Sequence, residues 1–388
     1  MTEIDLDELR EELLQCRRCG ICRNAVYESK GFDGICPIWR NTSGFETSFM
    51  RGKIQIALAL LDKRLERNSM NAESLFQCTL CGNCTEICGA EFHPAQVIET
   101  VRAVLEKDIP NEARDRVAQG VLEKDNPYNE DAAKKREWLS KLDFTVADHA
   151  KTLFFAGCTA SLRRDTLAVN SAKILKAAGE EFMVMEKEPC CGSVLLRTGA
   201  YDKAEENAME VARRLKQTGV ERIIVSCAGC MKTLQKDYVE KFGIEMPEVL
   251  HIAQFASRSL DQGKLKLKDY PEIRVTYHDP CHIGRELGIY DEPRQILEAI
   301  PGVEFVEMSP TREASICCGA GGGLRSYDAA LSKRISADRI KSAEKIQADA
   351  IVSACPFCEN NFEDGREVVG STMGVLDLVD ILADSLKD

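Results

Sequence analysis

The sequence predicts an α+β multidomain protein, with a helical N-terminal module followed by two duplicated α/β domains. Three observations carry that expectation. The 388 residues exceed what one hydrophobic core usually organises, so two or three domains are expected. A pattern of strands and cysteines at 158–230 returns at 281–358, which is an internal duplication. Finally, the eighteen cysteines fall into groups of four, four, five and five with none left over.

Composition narrows the function before any motif is read. Hydrophobic residues make up 44% and charged residues 29%, too apolar for a disordered chain. The net charge of −12 leaves little to hold a phosphate backbone, so no nucleic-acid partner is expected. The longest apolar runs, such as 54–61, fall far short of the ~18 residues a membrane span needs. The acidic start Met1-Thr2-Glu3-Ile4-Asp5 lacks the pattern of a secretory signal. The expected location is cytoplasmic, at most peripheral to the inner face of a membrane through a partner. A reducing compartment keeps thiols open, and a chain this long does not need disulfide staples. The cysteines therefore read as metal ligands.

In the N-terminal module, residues 1–105, Cys78-x2-Cys81-x2-Cys84-x3-Cys88 has the bacterial ferredoxin spacing for a [4Fe–4S] cluster. Gaps of two residues let three thiolates from one tight loop reach three irons, with the fourth ligand arriving from elsewhere. Cys16-x2-Cys19-x2-Cys22 supplies a second trio, and Cys36-Pro37 looks like its displaced fourth member. In two-cluster ferredoxins the fourth cysteine of each run serves the other cluster. The expected sets are thus Cys16, Cys19, Cys22 and Cys88 on one centre, and Cys78, Cys81, Cys84 and Cys36 on the other. Two departures stand out: thirteen residues separate Cys22 from Cys36, and Gly89 rather than proline follows Cys88. Gly31 and Gly34 make the insertion a surface excursion that returns its cysteine to the site. Four-cysteine zinc sites share the Cys-x2-Cys unit but use paired pairs, whereas a triple run occurring twice favours iron–sulfur. Residues 54–65 and 96–106 read as helices, so the module is expected to be an α-helical ferredoxin. Met50 reads as core and His93 as a local structural residue.

Residues 106–150 form a charged linker punctuated by Pro110 and the turn Asn126-Pro127-Tyr128-Asn129, with helical composition over 132–142. A tether is the simple reading. A segment packed across both halves is the alternative, because Trp138, Tyr128 and Phe144 are costly to leave exposed.

The two repeats are expected at 151–270 and 271–388. Strands run into Cys158 and Cys281, Cys190-Cys191-Gly192 is echoed by Cys317-Cys318-Gly319, and Cys227-x2-Cys230 by Cys355-x2-Cys358. The offsets are 281 − 158 = 123, 317 − 190 = 127 and 355 − 227 = 128. Helices at 203–217 and 331–345 alternate with short β-branched strands, which argues for parallel sheets. The cysteines then sit at strand ends, where α/β folds gather their ligands.

The spacing Cys–x31–Cys-Cys–x35–Cys-x2-Cys, followed by Cys–x35–Cys-Cys–x36–Cys-x2-Cys, resembles the CCG domains of heterodisulfide reductase. With the ferredoxin-like module in front, the whole chain resembles the D-type member of that family. The resemblance implies two noncubane [4Fe–4S] clusters, one on Cys158, Cys190, Cys191, Cys227 and Cys230, the other on Cys281, Cys317, Cys318, Cys355 and Cys358. It also implies that a small-molecule disulfide, the coenzyme M–coenzyme B heterodisulfide or a similar one, is reduced there. The electrons would pass through two cubane clusters from a flavoprotein or membrane cytochrome. An electron-transfer component of an FAD-dependent glycolate- or lactate-type dehydrogenase is the alternative, and zinc in one repeat a minor one. His278 and His282 flank Cys281 and are candidates for hydrogen-bonding a cluster sulfur or giving a proton to a nascent thiolate. Gly319-Ala320-Gly321-Gly322-Gly323 lacks dinucleotide spacing and reads as backbone of the cluster loop.

Overall fold

The computed structural model describes residues 4–387. Four helices build the N-terminal core: Leu6–Leu14, Met50–Leu61, Ser69–Phe76 and Pro94–Leu105. Their ends are chemically marked. Asp5 accepts from the Asp7 and Glu8 amides, Asn68 accepts from the Asn71 amide, and Pro94 opens the last helix. Leu9, Leu13, Ile54, Leu58, Leu75, Ile98 and Val101 are buried along the facing stripes. The insertion before Cys36 folds as a hairpin, β1 (Val26–Tyr27) against β2 (Phe32–Asp33). Phe32 and Ile35 are buried against Ile87 and against Ala314 of the second repeat, so the excursion is anchored at its return.

Each repeat is a four-stranded parallel sheet. In the first, β3 (Thr152–Phe155), β4 (Phe182–Met183), β5 (Arg222–Val225) and β6 (Glu248–His251) lie in the order β4-β3-β5-β6. In the second, β7 (Ile273–Tyr277), β8 (Val303–Phe305), β9 (Ala350–Ser353) and β10 (Gly374–Asp377) lie in the order β8-β7-β9-β10. Both follow a 2-1-3-4 pattern, so the duplication holds at the level of topology. Strand order reverses between β3 and β5, and between β7 and β9, which opens a crevice at the carboxyl ends of those strands. One hydrophobic core runs continuously through both sheets.

Residues 106–150 pack against the rest instead of hanging free. They form a helix, Glu112–Lys124, and a 3-10 segment, Ala132–Lys141. Trp138 is 3% exposed and stands edge-on to Phe154 at 5.7 Å, while Phe144 meets Phe182. The tether expectation gives way to its alternative for the reason the aromatics supplied.

Buried charges join the three parts. Arg197, from the first repeat, pairs with Glu99 of the N-terminal module and with Asp237, and Lys241 approaches Glu99 at 3.2 Å. Burial alone would raise the Glu99 carboxyl, but Arg197, Lys241 and Lys232 outweigh it and hold it below the usual carboxylate range. A depressed folded value contributes stability above the unfolded pKa of about 4.3, lost as pH falls toward the folded one. The stability difference between wild type and Glu99→Gln is therefore expected to be full at neutral pH and to begin narrowing below about pH 4. Thermal unfolding of both proteins from pH 7 to about 3.5 checks this, and a pH-independent difference would exclude it.

Candidate metal centres and active site

The N-terminal loops enclose two neighbouring cavities lined by thiols. One is bounded by Cys16, Cys19, Cys22 and Cys88, the other by Cys36, Cys78, Cys81 and Cys84, with Cys22 and Cys84 at their common border. The eight thiols expected as ligands all line these two cavities. Gly82 takes φ +77° directly after Cys81, which turns the chain so that the short helix Asn83–Glu86 presents Cys84 inward. Cys36 arrives from the hairpin, at the start of the helix Pro37–Arg40. Lys53 is 1% exposed, donates to the Ser74 carbonyl, and places its charge near Cys78, Cys36 and Cys84. A buried cation beside an all-sulfur donor set fits an anionic thiolate-held cluster. His93 is exposed and lies outside both cavities.

In each repeat the cysteines collect at the strand-order switch. Cys158 opens the helix that follows β3, and Cys227 and Cys230 follow β5. Gly192 takes φ +73°, and a Cβ there would stand 2.6 Å from Asn207 Nδ2, so only glycine lets the Cys190-Cys191 turn close. The Asn207 amide donates to the Cys190 carbonyl at 3.0 Å, and the Tyr238 hydroxyl to that of Cys191 at 2.9 Å. In the second repeat Gly319 takes φ +92°, and Asn361 donates to the Cys318 carbonyl at 2.7 Å.

The two crevices face each other across one cavity of about 120 Å³, walled by nine of the ten cysteines of the repeats. Cys227 of the first repeat and Cys355 of the second both line it, near enough to shift each other's thiol. Cys317 is the tenth. It is off the wall, and its thiol donates to Cys81 of the N-terminal module, which is held down to about 5 by that bond and, against burial, by Arg285. Arg285 Nε also donates to the Cys81 carbonyl at 2.7 Å, fixing the junction.

The two histidines occupy different places. His282 is on the cavity wall, and burial, with Arg197 and Lys232 nearby, pushes its imidazole down to about 3, so it is neutral. His278 stands behind the wall: a ring nitrogen and the Cys318 and Cys358 sulfurs all lie within 4.8 Å of one another. Its ring meets Phe362 edge-on at 4.8 Å. The offset of 123 puts Phe155 and Thr159 at the corresponding positions of the first repeat, so the two sites are chemically unequal.

Sequence reasoning missed several supporting residues. Glu188 accepts from the Ala156 and Gly157 amides beside Cys158, and Lys135 of the 106–150 segment pairs with it at 3.2 Å. Lys135 also donates to the Glu188 carbonyl at 2.7 Å, and Pro127 reaches the cavity wall. The only signal was Glu188 standing two residues before Cys190. The glycine run 319–323 lies between the cavity and the N-terminal module, as cluster-loop backbone should.

Comparison with known proteins agrees with this architecture. Residues 12–92 match the family described as 4Fe-4S dicluster domain, and residues 152–235 and 275–363 each match the cysteine-rich domain. The chain is 34% identical to the D-type component of the dihydromethanophenazine:CoB–CoM heterodisulfide reductase of Methanosarcina barkeri, over 97% of this chain and 94% of that protein. It is 32% identical to the B-type component of the fumarate reductase (CoM/CoB) of Methanothermobacter marburgensis, over 89% of this chain and 69% of that one. A hypothetical protein from Helicobacter pylori shares the fold, with a TM-score of 0.55 at 10% identity, covering 99% of this chain and 77% of that one. No helix among the described residues is long and apolar enough to cross a membrane. With its dicluster module, its two cysteine-rich repeats and full-length similarity, the chain belongs to the D-type family of heterodisulfide reductase components and is an iron–sulfur oxidoreductase component.

Proposed function

We propose that this chain carries electrons from two ferredoxin-type [4Fe–4S] centres to a pair of five-cysteine, noncubane centres, where a small-molecule disulfide is reduced. The carrying observation is the placement of the thiols: two neighbouring thiol-lined cavities in the N-terminal module, and one cavity walled by the cysteines of both repeats. Cys81 meets Cys317 at the module boundary, and Cys355 and Cys227 both line the shared cavity. The balance is R–S–S–R′ + 2 e⁻ + 2 H⁺ → R–SH + R′–SH: the S–S bond breaks and each sulfur leaves with one electron and one proton. Bound clusters would supply single electrons and an iron for each sulfur. The chain's own residues shape the rest. The two crevices would hold two sulfurs at one place, buried Arg197, fixed by Glu99 and Asp237, stiffens the wall, and His282 offers a neutral imidazole at the reacting sulfurs. The coenzyme M–coenzyme B heterodisulfide or a similar compound is the substrate this reading selects.

A second reading makes the chain a conduit that drains electrons from a flavin-dependent dehydrogenase. The relative named as a fumarate reductase (CoM/CoB) component is the observation for it, since that name attaches a reduction other than a disulfide's to a similar chain. Anoxically purified protein, loaded to about 16 irons per chain (four clusters of about four irons), separates the two. Oxidation of reduced viologen on adding a panel of disulfides, the heterodisulfide among them, is the expected result. Fully loaded protein that turns over none of them would leave the conduit.

A further inference from the structure

Cys19 is exposed, whereas the other seventeen cysteines are buried or half-buried. On the reading that Cys16, Cys19, Cys22 and Cys88 hold a cluster, this is where that centre comes nearest the surface. Electron transfer between proteins weakens steeply with distance, so a partner must meet the chain here. The chemistry of the surroundings is unlike the rest of the molecule. The whole chain carries −12, yet the thirteen residues 15–27 hold three arginines and no acid. Arg17 and Arg18, in the loop leading to Cys19, are exposed and make no ion pair among the described residues. Arg23 is exposed too, its guanidinium over Trp39 at 5.4 Å. Arg51 ties the loop down by donating to the Arg18 carbonyl at 2.9 Å.

Apolar groups accompany these charges. Leu14 is 48% exposed, Val26 61%, Tyr27 44% and Phe45 68%, all within thirty residues of Cys19 in the same module. Phe45 precedes Glu46, the partner of Arg51, and so stands beside the loop. A centre near the surface, with exposed apolar side chains in the same module and two unpaired cations, Arg17 and Arg18, describes half of a small, transient redox interface.

We propose that the face around Cys19, with Arg17, Arg18 and Arg23, is the docking surface for a redox protein whose own surface is acidic around its centre. Opposite charge raises the encounter rate and orients the two centres, while the exposed apolar side chains hold the pair only briefly. An anionic membrane fits less well. Three arginines on a loop fall below the cluster of about four to eight that polybasic lipid binding uses, and no amphipathic helix carries them.

The test is anoxic stopped-flow reduction of the fully loaded chain. The reductants are a reduced acidic ferredoxin, as the protein probe, and a reduced viologen bearing one sulfonate, whose radical has no net charge, as the small one. Charge reversal in the double variant Arg17→Glu/Arg18→Glu should cut the second-order rate with ferredoxin by about tenfold or more at low salt. The deficit should shrink as salt is added, and Arg17→Gln/Arg18→Gln should give a smaller loss. Viologen rates and iron content should stay within about twofold of wild type, since neither depends on charge steering. Equal ferredoxin rates for wild type and both variants overturn the proposal. So does binding to vesicles of anionic phospholipid that the charge reversal abolishes while the ferredoxin rate is unchanged. If wild-type protein lacks a viologen-reducible centre in the N-terminal module, the cluster assignment fails first and the proposal falls with it.

Discussion

Replacing Arg102 with leucine is expected to release the N-terminal module from the repeats, at a cost of about 3–5 kcal/mol. The side chain is fully buried, and its donors serve four carbonyls. Nε and Nη2 donate to Leu75 at 2.9 and 2.5 Å, and Nη2 also to Cys78 at 2.6 Å, all within the module. Nη1 donates to Arg197 of the first repeat at 2.6 Å and to Gly322 of the second at 2.7 Å. One guanidinium therefore closes a three-way junction, with its central carbon 5.5 Å from the centre of the Phe76 ring. Leucine would fill much of the volume but leave those carbonyls buried and unpaired, at about 1–3 kcal/mol apiece before the structure relaxes. Lysine would restore the charge without the fork, so Arg102→Lys should recover little. Denaturant unfolding should show an early, separate transition of the N-terminal module, with proteolysis of 106–150 at concentrations where wild type resists. An unchanged single transition would show that the junction is held elsewhere.

That junction also marks the boundary of what the sequence makes legible. Cysteine grouping, the duplication and the helices around the thiol loops are local or periodic features, and they return in the structure as expected. The two trios follow from spacing, and the crossing of their fourth cysteines is an expectation taken from two-cluster ferredoxins. The inequality of the repeats was equally visible, since the offset of 123 aligns His278 with Phe155 and His282 with Thr159. Contacts between distant parts leave no such trace. Nothing in a Val101-Arg102-Ala103 helix announces four carbonyl partners in three parts of the fold. The Cys81–Cys317 hydrogen bond joins residues 236 positions apart, and Lys135 is hidden in a charge-rich stretch whose composition reads as solvated. Its aromatic neighbours Trp138 and Phe144 were the better guide, because burial of large rings is a stronger constraint than charge density.

Substituting one thiol in either repeat should abolish disulfide turnover outright, and substituting one in each should do no further harm. Cys191 and Cys318 are the positions to use. Each lies on the cavity wall in its own Cys-Cys-Gly turn, and neither is itself a partner in the Cys81–Cys317 contact. If the two sites acted independently, a lesion in one would leave about half the activity, and the double variant would multiply the losses. The shared cavity argues otherwise. A disulfide has two sulfurs and needs both electrons, and on the proposed reading each crevice takes one sulfur, with Cys227 and Cys355 both lining the cavity between them. Groups that act as a unit lose nearly everything on the first deletion, so Cys191→Ala and Cys318→Ala should each fall by about 10³-fold or to the detection limit. The double variant should match them. Iron should drop from about 16 to about 12 per chain in each single variant and to about 8 in the double. The spectroscopic signature of the N-terminal pair should persist throughout, because its eight thiols are untouched. The two singles also differ from each other in a useful way. Cys318 belongs to the site that touches Cys81, so its loss interrupts the route, and electrons supplied by viologen should collect in the N-terminal module. Cys191 belongs to the terminal site, and its loss should leave the second repeat reducible through Cys317. Reduction of the remaining repeat centre in Cys191→Ala but not in Cys318→Ala orders the wire as module, second repeat, first repeat. The opposite pattern would require entry through the first repeat.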